Sequence, residues 1–333
     1  MTDALFLSSA DVDDLAVPAD YVAAVRDAYR QIGEGAPAEP RTKLLNRDPP
    51  GMFTNYAAVL PETGAMGGYA YSAGFGAEDA WFMTPLFDAD SGEPLALLDG
   101  ASMNPFKTGA AGAVAVDALA RDDATELAVI GSGAQARGQL ATTATVREFE
   151  SVRVFSPTAE NREAFAASFD GRLAADVSAV ASATDALDDA DVVITATTAS
   201  DPVIADADVG PGTHVTAMGQ YDPTKNELPP ELVARATYVP DLRARATQDA
   251  GSFIAAVDAG LVDEETGITA DLGEVVAGDH PGRTGDDEVT VFDSGGTGIE
   301  TVAAAHMLYE RAADAGRGKT IDFAPASEAL TGE

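Results

Sequence analysis

Between Leu127 and Leu140 the chain reads LAVIGSGAQARGQL, so that an apolar run meets Gly131, Gly133 and Ala136 in the spacing Gly-x-Gly-x-x-Ala and continues into a helix-like pattern. That spacing suits a dinucleotide pyrophosphate. Gly131 permits a tight turn off a strand, and Gly133 lets the backbone approach the phosphates. The small Ala136 allows the new helix to pack on the sheet while its N-terminal amides face the anion. The bare pattern is weak, and it is the strand before it and the helix after it that favour a cofactor site over an incidental glycine turn. The next strand ends Val154-Phe155-Ser156-Pro157-Thr158, where an NAD-preferring site would often place Asp or Glu on the ribose hydroxyls. In so acidic a chain the missing carboxylate is informative. Ser156 and Thr158 can hydrogen-bond a 2′-phosphate, with Arg162 in reach, and NADPH is expected to be accepted at least as well as NADH. Thr195, Thr197 and Thr198 end a further strand at the edge where cofactors lie, although threonine is also an ordinary strand residue.

The elements that must position these residues follow two grammars. Residues 1–110 show a short strand near Leu5 and a helix from about Val17 to Ile32 opened by Pro18. Strand-like runs follow at Phe53–Leu60 and Met66–Ser72, then a hairpin of Trp81–Phe87 and Pro94–Leu98 around Ala89-Asp90-Ser91-Gly92. From Thr125 onward strands and helices alternate. Strands are expected at Glu126–Ile130, Ser151–Phe155, Asp191–Ala196, His214–Met218 and Ala236–Val239, which argues for a parallel sheet wrapped by helices. The stretch Gly298–Ala315 is apolar at helical spacing and is expected to return to the first domain. Gly278–Asp287 reads as a polar local loop.

Composition narrows the function classes. The 333 residues are 46% hydrophobic, ample for one large domain or two, and carry a formal charge of −35 from 20 Lys and Arg against 55 Asp and Glu. Such a surface disfavours nucleic acid and anionic membrane as partners. No apolar run reaches the length of a membrane span, and the N-terminus lacks the pattern of a secretory signal, so a cytoplasmic location is expected. Without cysteine there is no disulfide framework, thiolate nucleophile or Cys-ligated metal site. His214, His280 and His306 lie far apart with no metal-ligand spacing; structural roles are expected for them, and no metal. An acidic surface with only Lys43, Lys107, Lys225 and Lys319 left is the composition of salt-adapted proteins, and it makes the first three lysines individually interesting.

Taken in order, FKTGAAGAVAVDALAR (Phe106–Arg121), VIGSGAQARGQ, DVVITATT (Asp191–Thr198), GTHVTAMG (Gly212–Gly219), DLGEVVAGDHPGR (Asp271–Arg283) and VFDSGGTGIETVAAAHMLYERA (Val291–Ala312) resemble the ornithine cyclodeaminase/mu-crystallin family. That family includes archaeal alanine dehydrogenases and NAD(P)H-dependent ketimine reductases. The resemblance implies an α/β fold in which a Rossmann-type doubly wound parallel sheet, residues 116–299, is inserted in an α+β substrate-binding and dimerisation domain, residues 1–115 with 300–333. It implies a homodimer, NADP or NAD as cofactor, and hydride exchange at the α-carbon of a small amino acid, 2-oxo acid, imine or cyclic ketimine. It extends the cofactor-binding set to Thr108, Ala134, Gln135, Ala217, Met218, Gly219 and Ser294. Arg41 lies where the family has a carboxylate-binding arginine, and Lys43 could face the same way on a strand, although a surface loop cation is the bland reading.

Three departures from the family pattern matter. Tyr69 stands at the lysine of an Ala-x-Gly-x-Lys strand. Lys107 opens Lys-Thr-Gly-Ala in place of an arginine, keeping the charge without the guanidinium fork. Tyr221 takes the usual aspartate position in Gly219-Gln220-Tyr221-Asp222-Pro223-Thr224-Lys225, with Asp222 one residue on. Lys107 is expected to contact an anion, since a cation is unfavourable at a helix N-terminus and lysine is scarce. Tyr221 or Asp222 would handle a proton, though Asp-Pro is also a natural turn; Lys225 faces substrate or solvent, and Glu227 serves either a turn or catalysis. The expected activity is an NAD(P)-dependent oxidoreductase like alanine dehydrogenase or ketimine reductase. One alternative is a cyclodeaminase that releases ammonia with no net redox change, and another is a dinucleotide- and ligand-binding protein without turnover.

Overall fold

The structure, a computed structural model, describes residues 2–77, 80–218 and 221–331. The chain forms two compact units, one of Met1–Lys107 with Thr297–Glu333 and the other of Thr108–Gly296.

The first unit is a seven-stranded sheet. Its strands are β1 (Thr2–Leu7), β2 (Thr42–Arg47), β3 (Pro50–Leu60), β4 (Ala65–Gly74), β5 (Trp81–Asp88), β6 (Pro94–Leu98) and β14 (Lys319–Phe323). They run in the order β14-β1-β6-β5-β4-β3-β2, antiparallel except for the parallel pair β1 and β6. Alternation buries Thr54, Tyr56, Ala58 and Leu60 of β3 on one face. Two long helices of this unit pack on its sheet, beside the short helix Ser9–Val12. Pro18–Gly33 starts at the expected proline and buries Tyr21, Val22, Val25, Ala28 and Tyr29 at helical spacing. Gly298–Asp314 lies against that helix and against β3 and β4. The close approach is why position 298 is glycine: a Cβ there would sit 2.3 Å from the Ala57 carbonyl carbon. The hairpin of β5 and β6 forms as expected, its turn held by Asp88 Oδ1 accepting from the Asp90 and Ser91 amides.

The second unit is a seven-stranded parallel sheet. It comprises β7 (Glu126–Ile130), β8 (Ser151–Phe155), β9 (Asp176–Ala179), β10 (Val192–Ala196), β11 (His214–Met218), β12 (Thr237–Pro240) and β13 (Thr290–Ser294), in the order β12-β13-β11-β10-β7-β8-β9. The chain runs from β7 through β8 to β9 at one edge and then crosses back to β10 on the other side of β7, as in a doubly wound nucleotide-binding fold. Five of these strands appear where hydrophobic patterning placed them. The other two, β9 and β13, add to that expectation. β9 is a four-residue edge strand, and β13, like β10 and β11, is buried along its whole length. Among the described residues no helix is long and apolar enough to cross a membrane.

Candidate functional site

In the second unit the parallel register brings the C-terminal ends of β7, β8, β10, β11 and β13 to one sheet edge. The glycine turn leaves this edge after β7. Gly131 has φ +124, and a Cβ on it would lie 2.3 Å from the Ala196 carbonyl oxygen, so the turn tolerates no side chain. Gly133 is the N-cap of the helix Ala134–Thr143, in extended conformation, with open space around its Cα and no side chain bonded to the helix start. The first-turn amides, including those of Ala134 and Gln135, are therefore offered to an anion, and the residues present fit a dinucleotide pyrophosphate. Ala136 is fully buried against the sheet. Gln135 Oε1 accepts the Thr108 hydroxyl at 2.5 Å.

At the end of β8 the Ser132 hydroxyl donates to Ser156 Oγ at 3.0 Å, and the Arg162 guanidinium donates to the Ser156 carbonyl at 3.0 Å while lying 5.9 Å from the Phe155 ring. Thr158 is exposed as the N-cap of Ala159–Phe169. Ala217, Met218 and Ser294 end β11 and β13 and are buried. Gly219 lies outside the described residues.

Thr195 and Thr197 are tied to the loop that follows β11. Glu227, fully buried, accepts the Thr195 hydroxyl at 2.9 Å, the Thr197 amide at 2.7 Å and the Thr197 hydroxyl at 2.5 Å. The structure thus gives Glu227 a clamping role across the strand end. Upstream in the loop Asp222 Oδ1 accepts the Thr224 amide at 3.0 Å and its hydroxyl at 2.7 Å, an Asx turn. Lys225 is half-buried, and its carbonyl passes so close to Gly251 that a Cβ there would clash. Tyr221 is 38% exposed.

Burial pushes the Glu227 carboxyl up to about 7, against the hydrogen bonds from Thr197 and Thr195 that pull it down. A carboxyl raised in the folded state binds its proton more tightly there than in the unfolded chain. Its stabilising contribution is therefore fully present below about 4.5 and is lost as pH rises through about 7. The melting temperature of the wild type relative to Glu227→Gln is expected to fall across that window and level off above it; a pH-independent difference contradicts the assignment.

His214 is buried with Nδ1 2.9 Å from Thr290 Oγ1 and Nε2 3.0 Å from Thr216 Oγ1, and burial lowers its pKa to about 3, so it is a neutral structural residue at working pH. Among the described residues no group of His, Asp and Glu is arranged to hold a metal.

The first unit holds Arg41, Lys43, Tyr69 and Lys107. Arg41, immediately before β2, is 3% exposed, and its guanidinium lies 5.5 Å from the Tyr56 ring centre and 3.5 Å from the Tyr71 hydroxyl. Lys107, in the first turn of the helix Asn104–Leu119, is fully buried. Its ammonium sits 4.8 Å from the Tyr69 ring centre and 6.0 Å from that of Tyr56, and 3.4 Å from Glu300 Oε1. Both cations therefore face the same aromatic wall, which Tyr71 and Phe82 extend. Tyr69 uses its hydroxyl locally, donating to the Gly100 carbonyl at 2.9 Å, and presents its ring to Lys107. Burial draws the Lys107 ammonium below the usual lysine range, while Glu300 works to keep it charged. Lys43 lies opposite Thr54 on β2, more exposed than Arg41.

Glu300 and Tyr56 went unseen in the sequence. The signal for Glu300 was there: Thr297-Gly-Ile-Glu300 is a capping box. Thr297 Oγ1 accepts from the Ile299 amide, and Glu300 accepts the Thr297 amide at 2.7 Å and its hydroxyl at 2.6 Å. The cap places a carboxylate where Lys107 is buried.

The sequence profile of the ornithine cyclodeaminase/mu-crystallin family matches residues 2–316. A Δ1-pyrroline-2-carboxylate reductase of Bacillus cereus is 36% identical over 239 residues, 72% of this chain and 73% of that protein. The Thermococcus litoralis Δ1-pyrroline-2-carboxylate reductase, solved with NADH and L-proline, is 31% identical with a TM-score of 0.89, covering 95% of this chain and 100% of its own. An archaeal alanine dehydrogenase dimer with bound NAD is 29% identical with a TM-score of 0.90, covering 97% and 100%.

Proposed function

Because the chain belongs to the ornithine cyclodeaminase/mu-crystallin family, we propose that it is an NAD(P)-dependent oxidoreductase acting at the α-carbon of a small amino acid or its imine, with a cyclic or short monocarboxylate ketimine as the favoured substrate. The observation that carries this reading is the buried pair Arg41 and Lys107 against one aromatic wall, with Glu300 as the carboxylate on Lys107. Two cations and one carboxylate leave one positive charge to match one substrate carboxylate. The rings of Tyr56, Tyr69, Tyr71 and Phe82 suit an apolar side chain or ring better than a distal ammonium or a second carboxylate.

Nicotinamide, when bound, supplies or accepts the hydride at its C4. Arg41 and Lys107 hold the carboxylate. The bonds from Thr224 to Asp222 favour the neighbouring phenol of Tyr221 for the proton. A coupled assay in molar potassium chloride tests the reading: NAD(P)H should be consumed with Δ1-pyrroline-2-carboxylate, or with a 2-oxo acid and ammonia or methylamine. Ammonia and a cyclic amino acid formed from a diamino acid without net NADH would make the protein a cyclodeaminase. Cofactor binding without turnover of any of these would make it a binding protein.

Cofactor choice follows from the end of β8. Ser132, Ser156 and Arg162 cluster where a carboxylate would otherwise repel a 2′-phosphate, so NADPH is expected to bind at least as tightly as NADH. NADH bound tenfold more tightly, about 1.4 kcal/mol, overturns this.

A homodimer adapted to salt completes the proposal. The strand register sets Leu44, Phe53, Ser72 and Trp81 in one row across β2, β3, β4 and β5, and Leu44, Leu45, Phe53, Trp81 and Met83 are exposed. An apolar row of this kind needs a cover, and the similar alanine dehydrogenase is a dimer. The charge of −35 repels itself at low salt. Sedimentation should give a dimer, and the melting temperature should rise from low to molar potassium chloride. An unchanged melting temperature removes the salt adaptation, and a monomer at molar salt removes the dimer.

A further inference from the structure

Behind the end of β13 lies a charged cluster that the proposed chemistry does not use. Arg245, in the helix Arg243–Asp249, is fully buried, as are Asp241, Asp249 and Asp293 around it. Its Nε donates to Asp241 Oδ1 at 2.8 Å, its Nη2 to both the carbonyl and Oδ1 of Asp293 at 2.7 Å, and its Nη1 lies 3.6 Å from Asp249 Oδ1. The second oxygen of Asp241 faces the strand end: Oδ2 accepts the Ser294 hydroxyl at 2.9 Å and the Gly295 amide at 3.0 Å. Ser294 Oγ in turn accepts the Gly296 amide at 3.3 Å. One guanidinium therefore fixes, through one carboxylate, three consecutive residues.

Stability alone is a poor reason for such a cluster, because well-packed apolar side chains of similar volume commonly serve a core as well as buried ion pairs do. The guanidinium instead supplies geometry, since its planar fork bridges Asp241 and Asp293 in one fixed orientation. The segment it orders, Ser294–Gly296, leaves the sheet at the C-terminal edge, where ligands of parallel sheets bind, beside the end of β11, whose other neighbour is β10. Gly296, at φ +82, makes a turn that depends on its neighbours being held.

We infer that Arg245 and Asp241 are positioning residues for the dinucleotide, holding Ser294, Gly295 and Gly296 in the one arrangement that receives it. This rests on the NAD(P) reading above. Neither side chain touches the ligand; each acts through the strand end.

The test is a fluorescence titration of NADPH and NADH at molar potassium chloride, beside melting temperature and steady-state kinetics. Asp241→Asn keeps the volume and an acceptor for Arg245 but turns an N–H donor toward the Gly295 amide. It should raise both dissociation constants at least fivefold, while the substrate KM at saturating cofactor stays within twofold of wild type. Arg245→Lys keeps the charge balance, loses the fork, and should show the same split; it decides the matter if the asparagine variant does not fold. A lowered melting temperature with wild-type dissociation constants would overturn the inference and make the cluster purely structural. A wild type that binds neither nucleotide would remove the NAD(P) reading itself.

Discussion

Lys107→Ala is expected to lower kcat/KM on the best imine or amino-acid substrate by about ten- to a hundredfold while leaving cofactor affinity less affected. A charge-assisted contact of this kind contributes roughly 1.5–3 kcal/mol, and one made in the transition state appears in kcat/KM in full. The same change leaves Glu300 buried without its cation, a loss of roughly 3–5 kcal/mol for a buried pair, softened here by the two bonds Glu300 keeps to Thr297. Kinetics are therefore to be read at a temperature where circular dichroism shows the variant folded. Lys107→Arg restores the side chain that the family resemblance implies, and it should retain activity with an altered substrate preference because the fork binds carboxylate in two places. Arg41→Ala should parallel the alanine variant. Wild-type kcat/KM in both Lys107→Ala and Arg41→Ala would sink the carboxylate clamp. Normal turnover with weakened NADPH binding in Lys107→Ala would instead move the lysine to the cofactor phosphates.

The second large effect separates two glycines two residues apart. Gly131→Ala forces a Cβ onto a residue at φ +124 and against the Ala196 carbonyl, a rigid backbone neighbour. Strain and displacement together should cost about 2–5 kcal/mol of unfolding free energy. Gly133→Ala meets nothing within 4 Å and has an ordinary φ of −76, so its stability should stay within about 0.5 kcal/mol of wild type. Its new methyl nevertheless occupies the space before the open amides of Ala134–Thr143, and NADPH affinity should fall at least tenfold. Denaturant unfolding reads the first variant and titration the second. If Gly133→Ala binds NADPH as the wild type does, the pyrophosphate does not lie at this turn.

Some of this was legible in residue order because it is local. The Gly131 turn, the opening of Pro18–Gly33, the hairpin of β5 and β6 and the alternating strands after Thr125 each depend on dihedral preference or on a repeat within a short window. The interval from Gly131 to Ala136 and the apolar run before it sufficed to place a strand, a turn and a helix. The absence of a carboxylate after Phe155 was equally plain, since it is a matter of which residue stands at a strand end.

What required the tertiary structure was partnership across long separations. Nothing near Lys107 in the chain announces Glu300, nearly two hundred residues on, and only packing in the first unit brings the ammonium, that carboxylate and the Tyr69 ring together. Tyr69 read as a departure from a lysine; the fold makes it a ring wall whose hydroxyl is used on Gly100. The sequence offered Asp222 for a proton and left Glu227 between a turn and catalysis; burial and three hydrogen bonds set Glu227 across the end of β10, while Asp222 turned back on Thr224. The physical reason is the same in each case. Local sequence sets the torsions of a few residues, whereas the charge, exposure and hydrogen-bonding of a side chain belong to the neighbours that folding brings to it.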